Sequence, residues 1–120
     1  MNETTSSRFE RILTALEKTE LRGRVFRDCE MVGVDLSGAD LRGARFERVV
    51  LAECSLAGAD LSAACFVLCE LRGVILTSAV LRESRFDGTT LDDLVILDAE
   101  ARAHVEGAGG TFQHRRASLR

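Results

Sequence analysis

The chain of 120 residues has no Pro, no Trp and no Tyr, and its 6 Phe are its only aromatics. Proteins that bind single-stranded nucleic acid set several aromatic platforms beside a basic groove. With so few rings and a net charge of −3, composition excludes a direct nucleic-acid binder and disfavours an anionic membrane surface. Long apolar runs are missing too. The longest uncharged ones, Leu61 to Cys69 and Gly73 to Leu81, are nine residues each, half of the roughly 18 that a membrane span needs. Residues 1–8 lack the apolar stretch of a secretory signal. No membrane association and a cytoplasmic location are the expectations.

Metal and disulfide signals are absent as well. Cys29, Cys54, Cys65 and Cys69 show no CxxC spacing, and His104 and His114 stand ten residues apart without flanking ligands. This is poor zinc geometry and a poor disulfide scaffold, so no metal and no cofactor are expected.

What is present is a repeat. Every fifth residue from Leu21 through Phe26, Met31 and Leu36 to Leu91 and Ile96 is large and apolar, sixteen positions in succession. At this composition chance gives such a series about once in 50,000 trials. Two residues before most of these comes a smaller partner: Cys29, Val34, Ala39, Ala44, Val49, Cys54, Ala59, Ala64, Cys69, Val74, Ala79, Ser84 and Thr89. An inward pair separated by one outward residue is a short strand, and the intervening residues, often Gly, turn a corner. The phenylalanines at 26, 46, 66 and 86 recur every four pentapeptides. A square coil of four pentapeptides stacks them in one internal column about 4.8 Å apart.

This pattern resembles the pentapeptide-repeat family over about residues 21 to 98. The resemblance implies an all-β solenoid, a right-handed quadrilateral β-helix of about four coils, with the Leu/Phe and small positions inside. Where the family favours Asp or Asn before the central residue, this chain has Val50, Cys65, Ile75, Val80 and Val95.

The ends read differently. Residues 1–20 are expected to hold an N-terminal capping helix, with Phe9, Ile12, Leu13 and Leu16 on one face and Ser6 or Ser7 with Glu10 as its cap. Residues 99–120 are expected to form a short helix and a mobile tail, with Leu97, Ala101 and Val105 on the packed side of a helix over 97–106.

Inside the square, Cys29, Cys54 and Cys69 read as small core residues and Cys65 points outward. Cys29 and Cys69 lie two coils apart, about 10 Å, too far for a disulfide. An interior filled by its own side chains leaves no room for a catalytic pocket, so no enzyme is expected. The column of Asp40 and Asp60 reads as turn residues bonding nearby backbone.

Two surfaces stand out. Ile75 and Val95 are expected to share an outward column, with Leu97 beside them and Val80 round the next corner. Together they form an apolar patch suited to a homodimer through the C-terminal coils, or covered by residues 99–106. The other surface is the face after the Phe column, where Glu30, Glu53, Glu70, Asp92 and Asp93 stand against Arg72, a net of −4. Resemblance to the quinolone-resistance members implies a second reading, a DNA mimic that binds DNA gyrase or topoisomerase IV. Four coils span about 19 Å, which is about six base pairs of duplex. A non-enzymatic interaction or scaffold module with a protein partner is the leading expectation.

Overall fold

In the computed structural model, which describes residues 15–113, each pentapeptide makes one side of a square. The local cause is a corner repeated at every fifth residue from Gly23 to Gly88. All of these corners adopt left-handed φ between 55° and 73°, half of them at Gly and half at Asp28, Arg48, Glu53, Ala63, Leu68, Ser78 and Glu83. The turn is closed by the small residue, whose N–H donates to the preceding central carbonyl, as in Ala59 to Leu56 and Ala64 to Leu61, both at 3.0 Å. Between corners only two or three residues are extended, so the strands are short.

Those strands pair in parallel with residues twenty along the chain. On one face β1 (Val25–Arg27), β3 (Arg45–Glu47) and β5 (Cys65–Val67) form a three-stranded sheet. On the next, β2 (Glu30–Val32), β4 (Val50–Ala52), β6 (Glu70–Arg72), β7 (Thr90–Leu91) and β8 (Thr111–Phe112) form a five-stranded one. The third and fourth faces are held by single bridges, Asp35 to Ser55 to Ile75 and Asp40 to Asp60 to Val80. The fold is the right-handed quadrilateral β-helix.

Of the sixteen central positions, the first fifteen are buried. The phenylalanine column stands as the period demands. Successive rings of Phe26, Phe46, Phe66 and Phe86 stack at 5.0, 4.6 and 4.9 Å.

The sixteenth, Ile96, is 54% exposed, and this corrects the expected register. Ile75 bridges to Ile96 and not to Val95. One residue is added between Leu91 and Val95, and because strand side chains alternate, that slip exchanges the faces. Val95 and Leu97 therefore turn in and pack against the core. The physical reason is size. An unslipped register would place Leu94 in a slot that holds Cys54, Val34 and Val74 in the coils below, and overpacking is destabilising.

The C-terminal residues close the last coil. Helix α2 (Ala99–Gly107) starts at Asp98, whose Oδ1 accepts from Ala101 N–H at 2.8 Å. It begins two residues later than the helix expected over 97–106, so Leu97 lies before it; of the expected packed side, Val105 is fully buried and Ala101 packs against the core. After the helix, Phe86 N–H donates to Ala108 C=O at 2.9 Å, and β8 pairs with β7. Residues 111–113 thus extend a sheet where a mobile tail is expected from sequence. At the other end the described helix is α1 (Ala15–Lys18); Phe9, Ile12 and Leu13 of the expected cap lie outside the described residues, as do His114 and the rest of the tail.

Candidate interaction faces

The interior is occupied by side chains, and its few polar groups are spent on the backbone. Thr89 Oγ1 accepts from Cys69 N–H at 3.1 Å and donates to Phe66 C=O at 3.0 Å. One coil below, Cys69 Sγ repeats both contacts, accepting from Val49 N–H at 3.5 Å and donating to Phe46 C=O at 3.0 Å. Cys54 Sγ donates to Met31 C=O at 3.4 Å. Burial pushes the Cys69 thiol up to about 11 and raises Cys54 and Cys29 as well. The Cys69 and Cys54 thiols are inter-coil ties as well as core residues, a role that reading them as small hydrophobes misses. The recurrence of Cys or Thr at positions twenty apart is the signal that marks it.

Among the described residues, Ser84 and His104 form the one contact that looks chemical. Ser84 Oγ is 3.0 Å from His104 Nε2, but its proton goes to Leu81 C=O at 2.7 Å. Nε2–H is then the donor to Ser84, whose carbonyl also lies at 3.1 Å. The pair ties α2 to the last coil and leaves no activated hydroxyl. Among the described residues, no group of three His, Cys, Asp or Glu is placed to hold a metal ion.

Outward acids near the corners serve the turns. Asp35 Oδ1 accepts from Ser37 N–H and Oγ–H at 3.0 and 2.6 Å, and Asp60 Oδ1 does the same with Ser62. Asp40 accepts from Arg42 through both side chain and backbone. The Ser37 and Ser62 hydroxyls and the Arg42 guanidinium hold these three carboxyls below the usual range. On the Phe face, arginines and acids cancel in pairs: Arg48 with Asp28 at 2.6 Å, Arg45 with Glu47 at 3.0 Å and Arg85 with Asp87 at 3.0 Å.

The acidic face lies on the five-stranded sheet. Glu53, Glu70, Asp92, Arg72, Leu94 and Gln113 line an open groove of about 470 Å³ there. Arg72 donates to Glu70 at 2.8 Å and also feels Glu30 and Asp92. Asp92 Oδ1 accepts from Gly73 N–H at 3.0 Å and from Leu94 N–H at 3.1 Å, replacing the backbone acceptor that the slip removes.

Of the four residues expected in the apolar patch, Ile75 and Val80 stay outward, whereas Val95 and Leu97 do not. Ile96 takes the column position beside Ile75, and Leu94, 57% exposed, occupies the corner that opens onto the acidic groove. Sequence periodicity misses Ile96 and Leu94. The break in the small-residue series at Leu94 is the signal that reveals them.

Among the described residues no helix is long and apolar enough to cross a membrane. No curated protein is similar enough in sequence to count as a match. In structure the chain is similar to a pentapeptide repeat protein from Nostoc Pcc 7120, with a TM-score of 0.64 at 23% identity over 78% of this chain and 75% of that one. A pentapeptide repeat protein from the Arabidopsis thaliana thylakoid lumen follows at 0.48 and 20%, covering 76% and 77%. QnrB1, a plasmid-mediated fluoroquinolone resistance protein, gives 0.30 at 18%, covering 72% and 56%. At these identities the first likeness shows the fold, and the lower two carry no argument. The family model for pentapeptide repeats matches in 8 copies over residues 14–48, 29–66 and 54–93. With that match spanning most of the solenoid, the chain belongs to the pentapeptide-repeat family.

Proposed function

We propose that the chain is a non-enzymatic protein-interaction module whose contact surface is the C-terminal end of the third face. The observation that carries this is the pairing of outward Ile75 with exposed Ile96, flanked by exposed Leu94 and Val80. Large apolar side chains grouped in this way on a rigid surface favour a partner. The surroundings support it. Ser55, Ala57 and Thr77 on the same face are uncharged, Asp35 is paired with Lys18 at 3.4 Å, and Asp98 caps α2.

A second copy related by a two-fold axis is the simplest occupant. It docks sideways, because α2 and β8 already cover the edge of the last coil. Four apolar side chains fall short of the ~800 Å² per partner of a stable interface. Association is therefore expected only at micromolar concentration. Sedimentation velocity should show a dimer that Ile75→Glu/Ile96→Glu converts to monomer while the circular dichroism is kept. A wild-type chain that is strictly monomeric at high micromolar concentration sinks the homodimer. Pull-down from lysate then tests the surface itself, which fails if wild type and double variant capture the same proteins.

The acidic face, net −4 against Arg72, favours the second reading, a DNA mimic directed at gyrase. Charge pairing on the Phe face and the short rod weaken it. Gyrase supercoiling is expected to be unaffected by the protein, and inhibition or protection at low micromolar concentration would reverse the order of the two readings.

A further inference from the structure

The cover over the last coil has a gap at the fourth face. Elsewhere something replaces the coil that would come next: Ala108 C=O accepts from Phe86 N–H, β8 pairs with β7, and Ile96 C=O accepts from Leu76 N–H. At the corner before Phe86, His104 Nε2–H stands in for the missing donor to Ser84 C=O. The lower coils of the fourth face are joined by three bonds per step. Leu41 N–H donates to Asp60 C=O, Gly43 N–H to Ser62 C=O and Asp60 N–H to Ala39 C=O, at 2.9 to 3.0 Å. Leu61, Ala63 and Val80 repeat them one coil higher. At the top, Leu81 N–H, Glu83 N–H and Ala79 C=O hold the equivalent places, and among the described residues none of the three has a partner.

Beside these groups lies a pocket of about 230 Å³ between the coil edge and α2, whose lining includes apolar Leu76, Ala79, Leu81 and Ala101 together with Arg82. In the coils below, arginines of the same outward column reach an aspartate one step up: Arg22 to Asp40 at 3.4 Å and Arg42 to Asp60 at 3.9 Å. Arg82 has no such acid above it and makes no ion pair among the described residues. The lower coils therefore define what is missing. It is an extended segment with Leu turned inward and an acid turned outward before it, as in Asp40-Leu41 and Asp60-Leu61.

We propose that this slot binds an extended acidic segment of another polypeptide, of the type acid–Leu–X, which adds one rung to the fourth face. Its main chain accepts from Leu81 and Glu83 N–H and donates to Ala79 C=O, its Leu enters the pocket, and its acid meets Arg82. Asp98 is engaged as the cap of α2, and Glu100 in the same lining disfavours a second acid. The slot is separate from the Ile75 and Ile96 contact, and its test does not depend on that reading.

The probe is the acetylated, amidated peptide Gly-Ala-Asp-Leu-Ser-Ala-Ala, a copy of residues 58–64, which fill the equivalent place above Leu41. Titrated to about 10 mM into the isotope-labelled full chain, it should half-saturate near 1 mM, about the strength of a single rung. The nuclear magnetic resonance signals of the Leu81 and Glu83 amides should move, and their hydrogen exchange should slow by about fivefold. Lys in place of the peptide's Asp should weaken binding about fivefold, and Arg82→Glu should reverse that preference. The Ile75→Glu/Ile96→Glu chain should bind the peptide as wild type does, which keeps failure of the dimer apart from failure of the slot. Circular dichroism confirms that Arg82→Glu is folded, and the wild-type titrations stand without it. If neither amide shifts or slows at the highest peptide concentration, the edge is merely solvated and the proposal falls. Equal affinity for the Asp and Lys peptides overturns it as well, because the contact is then not the one that Arg82 specifies.

Discussion

Ile75 bridges to Ile96, twenty-one residues along the chain, where pairs in the preceding coils are twenty apart. That single extra residue carries Val95 and Leu97 into the core and leaves Ile96 and Leu94 on the surface. Asp92 holds the slip together through two backbone N–H groups, those of Gly73 and Leu94. Asp92→Ala should cost about 1–2 kcal/mol in chemical denaturation, because both donors lose their acceptor. Asp92→Asn keeps an Oδ1 acceptor and should cost less. Equal losses in the two variants would remove this role.

Phe66 lies between Phe46 and Phe86 in the ring column and is fully buried. Phe66→Ala should cost about 3–5 kcal/mol. Arg45, outward and exposed with Glu47, should lose less than about 0.5 kcal/mol on replacement by Ala. Comparable losses at the two sites would contradict the assignment of faces.

Thr89 and Cys69 make the same pair of contacts one coil apart. Thr89→Cys should therefore be tolerated. Thr89→Val, of similar shape, strands a buried Cys69 N–H and should cost about 1–3 kcal/mol by denaturant titration. A valine variant as stable as the cysteine one would show that the tie contributes nothing.

At Gly38, φ is 71° and an added Cβ would meet nothing within 4 Å. Gly38→Ala therefore measures the left-handed corner alone and should cost about 1 kcal/mol. The converse change, Ser78→Gly at φ 62°, should be neutral or stabilising. A destabilised Ser78→Gly would place the cost of the corners elsewhere.

The carboxyls of Asp35, Asp40 and Asp60 are held below the usual range by Ser37, Arg42 and Ser62 respectively, and Asp28 is held low by Arg48. A depressed carboxyl gives its full stabilisation above the unfolded value of about 3.9. As pH falls below that, the unfolded chain takes up protons that the native one refuses, and stability declines until the native groups protonate as well. Thermal melting should thus be flat from about pH 5 to 7 and fall toward pH 3. All four groups are near the surface, so the decline should be modest and flattened by salt. A melting temperature unchanged at pH 3 would refute this.

The solenoid was legible because its period is set locally. A small residue, one outward residue, a central residue, a second outward residue and a corner make up the repeat that runs from Leu21 to Leu91, and each step uses only residues within the same pentapeptide. Alternation across a strand and left-handed φ at a corner are short-range properties, and so is the Asp that closes its own turn. The phenylalanine column followed from counting, and so did the packed side of α2. What periodicity could not decide was the phase of the last coil. There a local rule, a large residue every fifth position, competed with a long-range one, the volume that a slot leaves for Leu94. Packing volume is set by the coil beneath, twenty residues away, so only the folded structure shows which rule prevails. It chose the slip, and by doing so it alone determined that Ile96 and Leu94 meet solvent while Val95 and Leu97 do not. The inter-coil ties of Cys69 and Thr89 and the groove that ends at Gln113 belong to the same class, because each joins residues that sequence separates and stacking brings together.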